Sequence, residues 1–192
     1  WLVSQIVELK PFPDVIVALG QIKTRYKLVI LSHGARAIPE AAPQIEASIA
    51  KLGFKVSDIK ILLNSHAHFD HSGRLAQLKK DTGATLQAME GDVSALEGGF
   101  YLGSESVKAM SAPPVKVDKV LHDGDVVTLG PISLKANLTP GHTRGCTSWG
   151  FKAKDGGKEY DALIFCSATV AANRITPPLQ YEDSSLSRNA AM

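Results

Sequence analysis

An α/β layered fold is what this sequence predicts, and three observations predict it. Helix and strand patterns alternate from about residue 45 to residue 89, strands with hairpin-like spacing follow from residue 119 to residue 166, and one apolar run leads straight into a histidine-rich loop. The composition suits such a fold. With 192 residues, 44% hydrophobic and 21% charged, the chain can bury its own core as a single domain spanning residues 1–192. A formal net charge of +2 is too weak to argue for nucleic acid or an anionic membrane as partner. No uncharged apolar run reaches the roughly 18–20 residues of a membrane span. Low-complexity, collagen-like and coiled-coil classes are excluded by composition and by the lack of sustained heptads, and no solenoid-length repeat is visible.

Taken in order, the elements differ in clarity. Val15 to Leu19 and Leu28 to Leu31 read as short buried strands, after punctuation by Pro11 and Pro13. Ile45, Ile49 and Leu52 recur at helical spacing, with Pro43 in the first turn and Gly53 as the stop. Ile59 to Leu63 reads as a fully buried strand running into Asn64-Ser65-His66. Leu75 and Leu78 mark a second helix, ended by Asp81-Thr82-Gly83, and Thr85 to Met89 is the next strand. Pro113-Pro114 is the expected connector to the hairpin-rich half. There Lys119 to His122 and Val126 to Leu129 flank Asp123-Gly124-Asp125 as an expected hairpin. Ile132 to Leu138 continues as a strand, and Cys146 to Lys152 and Tyr160 to Cys166 flank a second turn at Asp155-Gly156-Gly157. Pro177 to Met192 reads as a loop or frayed tail.

The chemistry concentrates in Ser65-His66-Ala67-His68-Phe69-Asp70-His71. Three of the chain's six histidines fall there within six residues, with an acid among them. Imidazole and carboxylate are natural ligands of zinc and similar metals. His66 and His68, two apart at a strand end, point to the same side. Asp70 and His71 lie past the turn and can face a second position. A metal-free surface loop is the plainer alternative, but clustering of this density behind a buried strand argues against it. Pro140-Gly141-His142-Thr143 is a weaker signal alone, since a solitary histidine is more often structural. Beside the first cluster, His142 completes a three-histidine set with an open fourth position, as catalytic zinc requires.

These residues resemble the metallo-β-lactamase superfamily. His66-Ala67-His68-Phe69-Asp70-His71 matches its H-x-H-x-D-H signature. Lys60 to Ser65, Gly73, Thr82-Gly83-Ala84 and Pro140-Gly141-His142-Thr143-Arg144-Gly145-Cys146-Thr147-Ser148-Trp149 resemble the third subclass of class B β-lactamases, over roughly residues 41–182. The resemblance implies an αββα sandwich and a periplasmic or secreted two-zinc hydrolase acting on a small β-lactam. His66, His68 and His142 would hold the first zinc, and Asp70 and His71 the second. A metal-bound hydroxide, oriented by Asp70, would open the ring. Ser167 and Thr169 look like substrate-carboxylate hydroxyls, with ordinary strand-end hydroxyls as the equal alternative. Cys166 is expected in the core, and whether it pairs with Cys146 stays open.

Two departures from the family pattern matter. No histidine follows His142, so Asp70 and His71 fall short of a four-coordinate set, and water, Ser167, Cys166 or a partner chain must supply the rest. The family's last strand and closing helices are also expected to be absent. At the front, Leu28 to Arg36 is a rough stand-in for the family's opening strand. Residues 1–37 and 183–192 are therefore expected to be altered sequence around an intact middle. The start at Trp1 fits a processed chain or a fragment, and residues 1–10 lack the basic start of a signal peptide. His33 and His122 read as solvated or structural. Two rival functions remain: a thioester or lactone hydrolase, and a metal-binding fragment without turnover.

Overall fold

Ile61-Leu62-Leu63 offers no polar side chain to water, and the structure buries it on both faces. The structure is a computed structural model that describes residues 30–32, 46–47, 49–51, 53–101 and 108–171. The first sheet joins β1 (Ile30–Ser32), β2 (Ile61–Asn64), β3 (Thr85–Met89) and β4 (Lys119–Leu121), in that order and all parallel. The second is an antiparallel meander of β5 (Val126–Leu129), β6 (Ile132–Leu138), β7 (Thr147–Asp155) and β8 (Lys158–Ile164). Helices connect the parallel strands: α1 (Phe69–Ser72), α2 (Leu75–Thr82) and α3 (Glu90–Gly98).

Alternation along β2 assigns the layers. Leu62 joins Leu75, Leu78, Leu86, Ala95 and Leu96 in a core between the helices and the first sheet. Ile61 and Leu63 face the other way, into a core shared with Met89, Leu121, Val127, Ala136 and Trp149 between the two sheets. Trp149 is fully buried there, and its indole N–H donates to the Asn64 carbonyl at 3.2 Å. The described layers are therefore helix, sheet, sheet, as expected for the αββα class. Among the described residues, no helix is long and apolar enough to cross a membrane.

β3, β5 and β6 fall where their sequences place them, and Gly53 closes the helix containing Ile49, with positive φ and its N–H on Ala50. Three expectations need correction. Lys119 to Leu129 is no hairpin: β4 pairs with β3 and β5 with β6, so Asp123-Gly124-Asp125 carries the chain between sheets. That turn is bound to β6, with the Gly124 N–H on Ala136 and the Leu138 N–H on the Asp123 carboxylate at 2.8 Å each. Pro113-Pro114 is consequently not the boundary between halves, because β4 still belongs to the first sheet. Helix α3 was not expected at all. It closes on Gly99 at φ +68, where an added Cβ would also meet the Ala112 carbonyl at 2.4 Å. Ile45, Leu52, Pro43, the strand expected at 15–19, His33 and the tail from 177 lie outside the described residues.

Candidate metal centre

β2 delivers the site. After Asn64 the chain leaves the carboxyl end of a central parallel strand, where α/β folds place ligands. The exit is pinned across the sandwich, since the Thr147 N–H donates to the Ser65 carbonyl at 2.8 Å. His66 and His68 are buried at 1% and 3% exposure. His68 opens α1, whose Ser72 hydroxyl donates back to the His68 carbonyl at 2.9 Å.

His142, half-buried on the loop before β7, meets them. His68 Nδ1 and His142 Nε2 lie 3.0 Å apart, and one ligand atom from each of His66, His68 and His142 falls within 4.8 Å of the others. Two nitrogens on one tetrahedral zinc would stand about 3.3 Å apart. The donor set therefore fits a borderline divalent metal. Its outer contacts fit as well. His142 Nδ1 faces the Thr169 carbonyl at 3.1 Å and the Thr169 hydroxyl at 2.9 Å, and His66 Nδ1 faces the Ser65 hydroxyl at 3.0 Å. Tyr101 stacks flat on His68 with ring centroids 4.0 Å apart. Burial, aided by the charges of His142 and His71, pushes the His68 pKa down to about 3, so its ring is neutral, the form that can bind a metal. Burial lowers His142 too, against the Thr169 carbonyl and the Asp70 charge.

Asp70 and His71 sit at the edge of this cluster. The His71 ring is 4.0 Å from the His66 ring, and Asp70 Oδ2 is 3.4 Å from His71 Nε2. Neither belongs to a three-ligand set among the described residues. Thr169 lies against His142, and the Ser167 hydroxyl lies 3.2 Å from that of Thr169, so both stand at the metal cluster's rim. Cys166 is buried, as expected, and is bonded to Cys146 across 20 residues. In that state it cannot complete the Asp70–His71 pair.

One residue central to the geometry carried no motif. Asp92, fully buried in the first turn of α3, accepts the Ala67 N–H at 2.8 Å, the Thr143 hydroxyl at 2.9 Å and the Gly145 N–H at 2.8 Å. Ala67 lies between His66 and His68, and Thr143 follows His142. Asp92 thus ties the two histidine loops together. Burial pushes its pKa up to about 6, with the three donors opposing, so it is ionised at neutral pH. Gly145 permits the approach: a Cβ there would lie 2.6 Å from the Asp92 N. The only signal in the sequence was an acid placed where a helix N-terminus favours one.

Helices on a parallel sheet, that sheet on an antiparallel meander, and histidines converging at the strand ends define an α/β sandwich with a metal-capable site. The profile of the Metallo-beta-lactamase superfamily matches residues 27–155, and the chain belongs to that superfamily. The match begins inside the segment expected to be atypical. Among solved structures, the chain is similar to BJP-1, a subclass B3 metallo-β-lactamase of Bradyrhizobium japonicum, at 44% identity and TM-score 0.78, covering 87% of this chain and 61% of that one. It is also similar to the FEZ-1 metallo-β-lactamase from Legionella gormanii, at 40% identity and TM-score 0.74, covering 85% and 62%. A hydroxyacylglutathione hydrolase of Rhodospirillum rubrum is 27% identical over 132 residues, 69% of this chain and 41% of the relative. The chain thus spans less than two thirds of each relative's length.

Proposed function

We propose that this chain is a zinc-dependent hydrolase that opens the β-lactam ring. The observation that carries the reading is the convergence of His66, His68 and His142, with His68 Nδ1 and His142 Nε2 3.0 Å apart. The likeness to subclass B3 structures supports the choice of substrate. His66, His68 and His142 would hold one zinc, while Asp70 and His71 would contribute to a second. Bound zinc supplies a Lewis acid and lowers the pKa of its water toward neutrality.

The chain's own residues do the rest. Asp70, with its side chain 42% exposed, stands where its carboxylate can accept a proton from the attacking water and pass it to the leaving nitrogen. Thr169 orients His142. Ser167 and Thr169 also meet the substrate carboxylate, which requires their present hydroxyl contact to be exchanged. The protein works in the periplasm or outside the cell on a small-molecule substrate.

A second reading has specific support. The hydroxyacylglutathione hydrolase likeness favours a thioester, and the same metal chemistry serves it. The test loads the full chain with zinc, measures metal content and assays a chromogenic cephalosporin beside a glutathione thioester. About two zincs per chain with cephalosporin turnover is the expected result. Thioester turnover alone would move the assignment to the second reading. Metal uptake with neither turnover would leave a metal-binding protein.

A further inference from the structure

The disulfide joins the strand ends directly behind the histidine cluster. Cys146 precedes β7, Cys166 follows β8, and both are buried. Cys166 Sγ lies 3.7 Å from His66 Nδ1, and one ligand atom from each of His66, Cys146 and Cys166 falls within 4.8 Å of the others. On a tetrahedral zinc, a thiolate and an imidazole nitrogen stand about 3.6 Å apart. Cys166 Sγ is already near ligand spacing from His66, at its Nδ1 edge.

We propose that Cys146, Cys166 and His66 form a further metal site, separate from the one at Asp70 and His71, closed as the disulfide and opened by a dithiol reductant to a thiophilic divalent cation. The dithiol transfers two electrons and two protons to the Cys146–Cys166 bond, leaving two thiols and the reductant's own disulfide. The cation then displaces both thiol protons to solvent and takes two thiolates and His66 Nδ1, with solvent in the fourth position. The thiols stay in place after reduction because other bonds hold their strand ends. Thr147 is bound to Ser65, and the Cys166 N–H donates to the Ser148 hydroxyl at 3.0 Å.

The consequence is competition. A neutral imidazole has a single lone pair, so His66 serves one metal at a time. Filling the sulfur site takes His66 from the three-histidine site, so the disulfide keeps that histidine for the first cluster.

The test uses the full chain. It is reduced with a phosphine, desalted without oxygen, and titrated with cobalt(II). A thiolate-to-cobalt charge-transfer band in the near ultraviolet is expected in the reduced chain. It should be missing from the oxidised chain and from C146S/C166S. H142A, which removes the three-histidine set, should keep the band. Zinc should also slow alkylation of both thiols in the reduced chain. Three results would overturn the proposal: no band after reduction, loss of the band in H142A, or alkylation at one rate with and without zinc. A reduced chain whose circular dichroism shows unfolding with zinc present would overturn it as well, since the site needs β7 and β8 in place. None of these readouts depends on β-lactam or thioester turnover.

Discussion

A buried carboxylate surrounded by three donors holds those donors more tightly than any neutral acceptor, and it cannot be replaced by one without loss. In Asp92→Asn the amide keeps the shape but turns an N–H₂ toward the Ala67, Thr143 or Gly145 donor. The variant should lose about 1–3 kcal/mol in denaturant unfolding of the metal-free chain. It should also bind zinc about 10–100-fold more weakly in a chelator competition, because the two histidine loops are no longer tied. Stability lost with unchanged zinc affinity would reduce Asp92 to a packing role. His68 supplies a pH dependence of definite sign. Its pKa is about 3 in the folded chain and near 6.5 in the unfolded one. The unfolded chain takes up the proton first as pH falls. Metal-free stability is therefore full above about 6.5 and drops as pH falls toward about 3. His68→Gln should flatten that part of the profile in melts run from pH 7 to pH 4.

At the scale of elements, the disulfide staples the ends of β7 and β8, strands that also share a ladder and the Lys152–Asp161 ion pair. Closing a loop of 20 residues stabilises by about 3 kcal/mol through the unfolded chain. C146S/C166S should lose that much in denaturant unfolding, and a midpoint equal to wild type would show the staple to be idle. The pairing could not be read from sequence, because cysteines 20 apart become neighbours only once β7 has paired with β8. What was legible is what local chemistry decides. Strand β3 follows the helix stop at Gly83, the meander strand β6 lies between turn residues, and their patterns are short and clear. The pairing of His66 with His68 was legible because H-x-H at a strand end needs no distant partner to face one way. Helix α3 was hidden because Gly91 and Ser94 dilute its helical signal, and Val93, Ala95 and Leu96 make a poor stripe. The false hairpin has a related cause. Asp123-Gly124-Asp125 has turn chemistry whether the chain doubles back or crosses to another sheet, and only tertiary pairing distinguishes the two.

Over the whole molecule, the helices described pack on the first sheet, while the second sheet carries apolar side chains outward. Val126 is 53% exposed and Leu163 58%. Together with Gly150, Phe151 and Ala162 they line a shallow groove shared with Lys135, Lys152 and Asp161. Strand β8 has only β7 beside it among the described residues. Its first half is guarded as edge strands usually are, by Lys158, Glu159 and Asp161, the last held by Lys152 at 2.6 Å. Its second half, Ala162-Leu163-Ile164, has no charge and leads into Phe165, itself 49% exposed. An apolar edge beside an apolar groove is the feature that draws chains together. Self-association should therefore begin at Leu163, on the exposed face of the unguarded half of β8. In Leu163→Lys the charge sits on the unguarded half of the edge. The variant should remain monomeric in sedimentation velocity at concentrations where the parent chain forms larger species. Its zinc affinity should be unchanged, because Leu163 pairs with Gly150 and is exposed rather than packed in the core. A parent chain that stays monomeric at every concentration, or a variant that associates as the parent does, would remove the β8 edge as the cause.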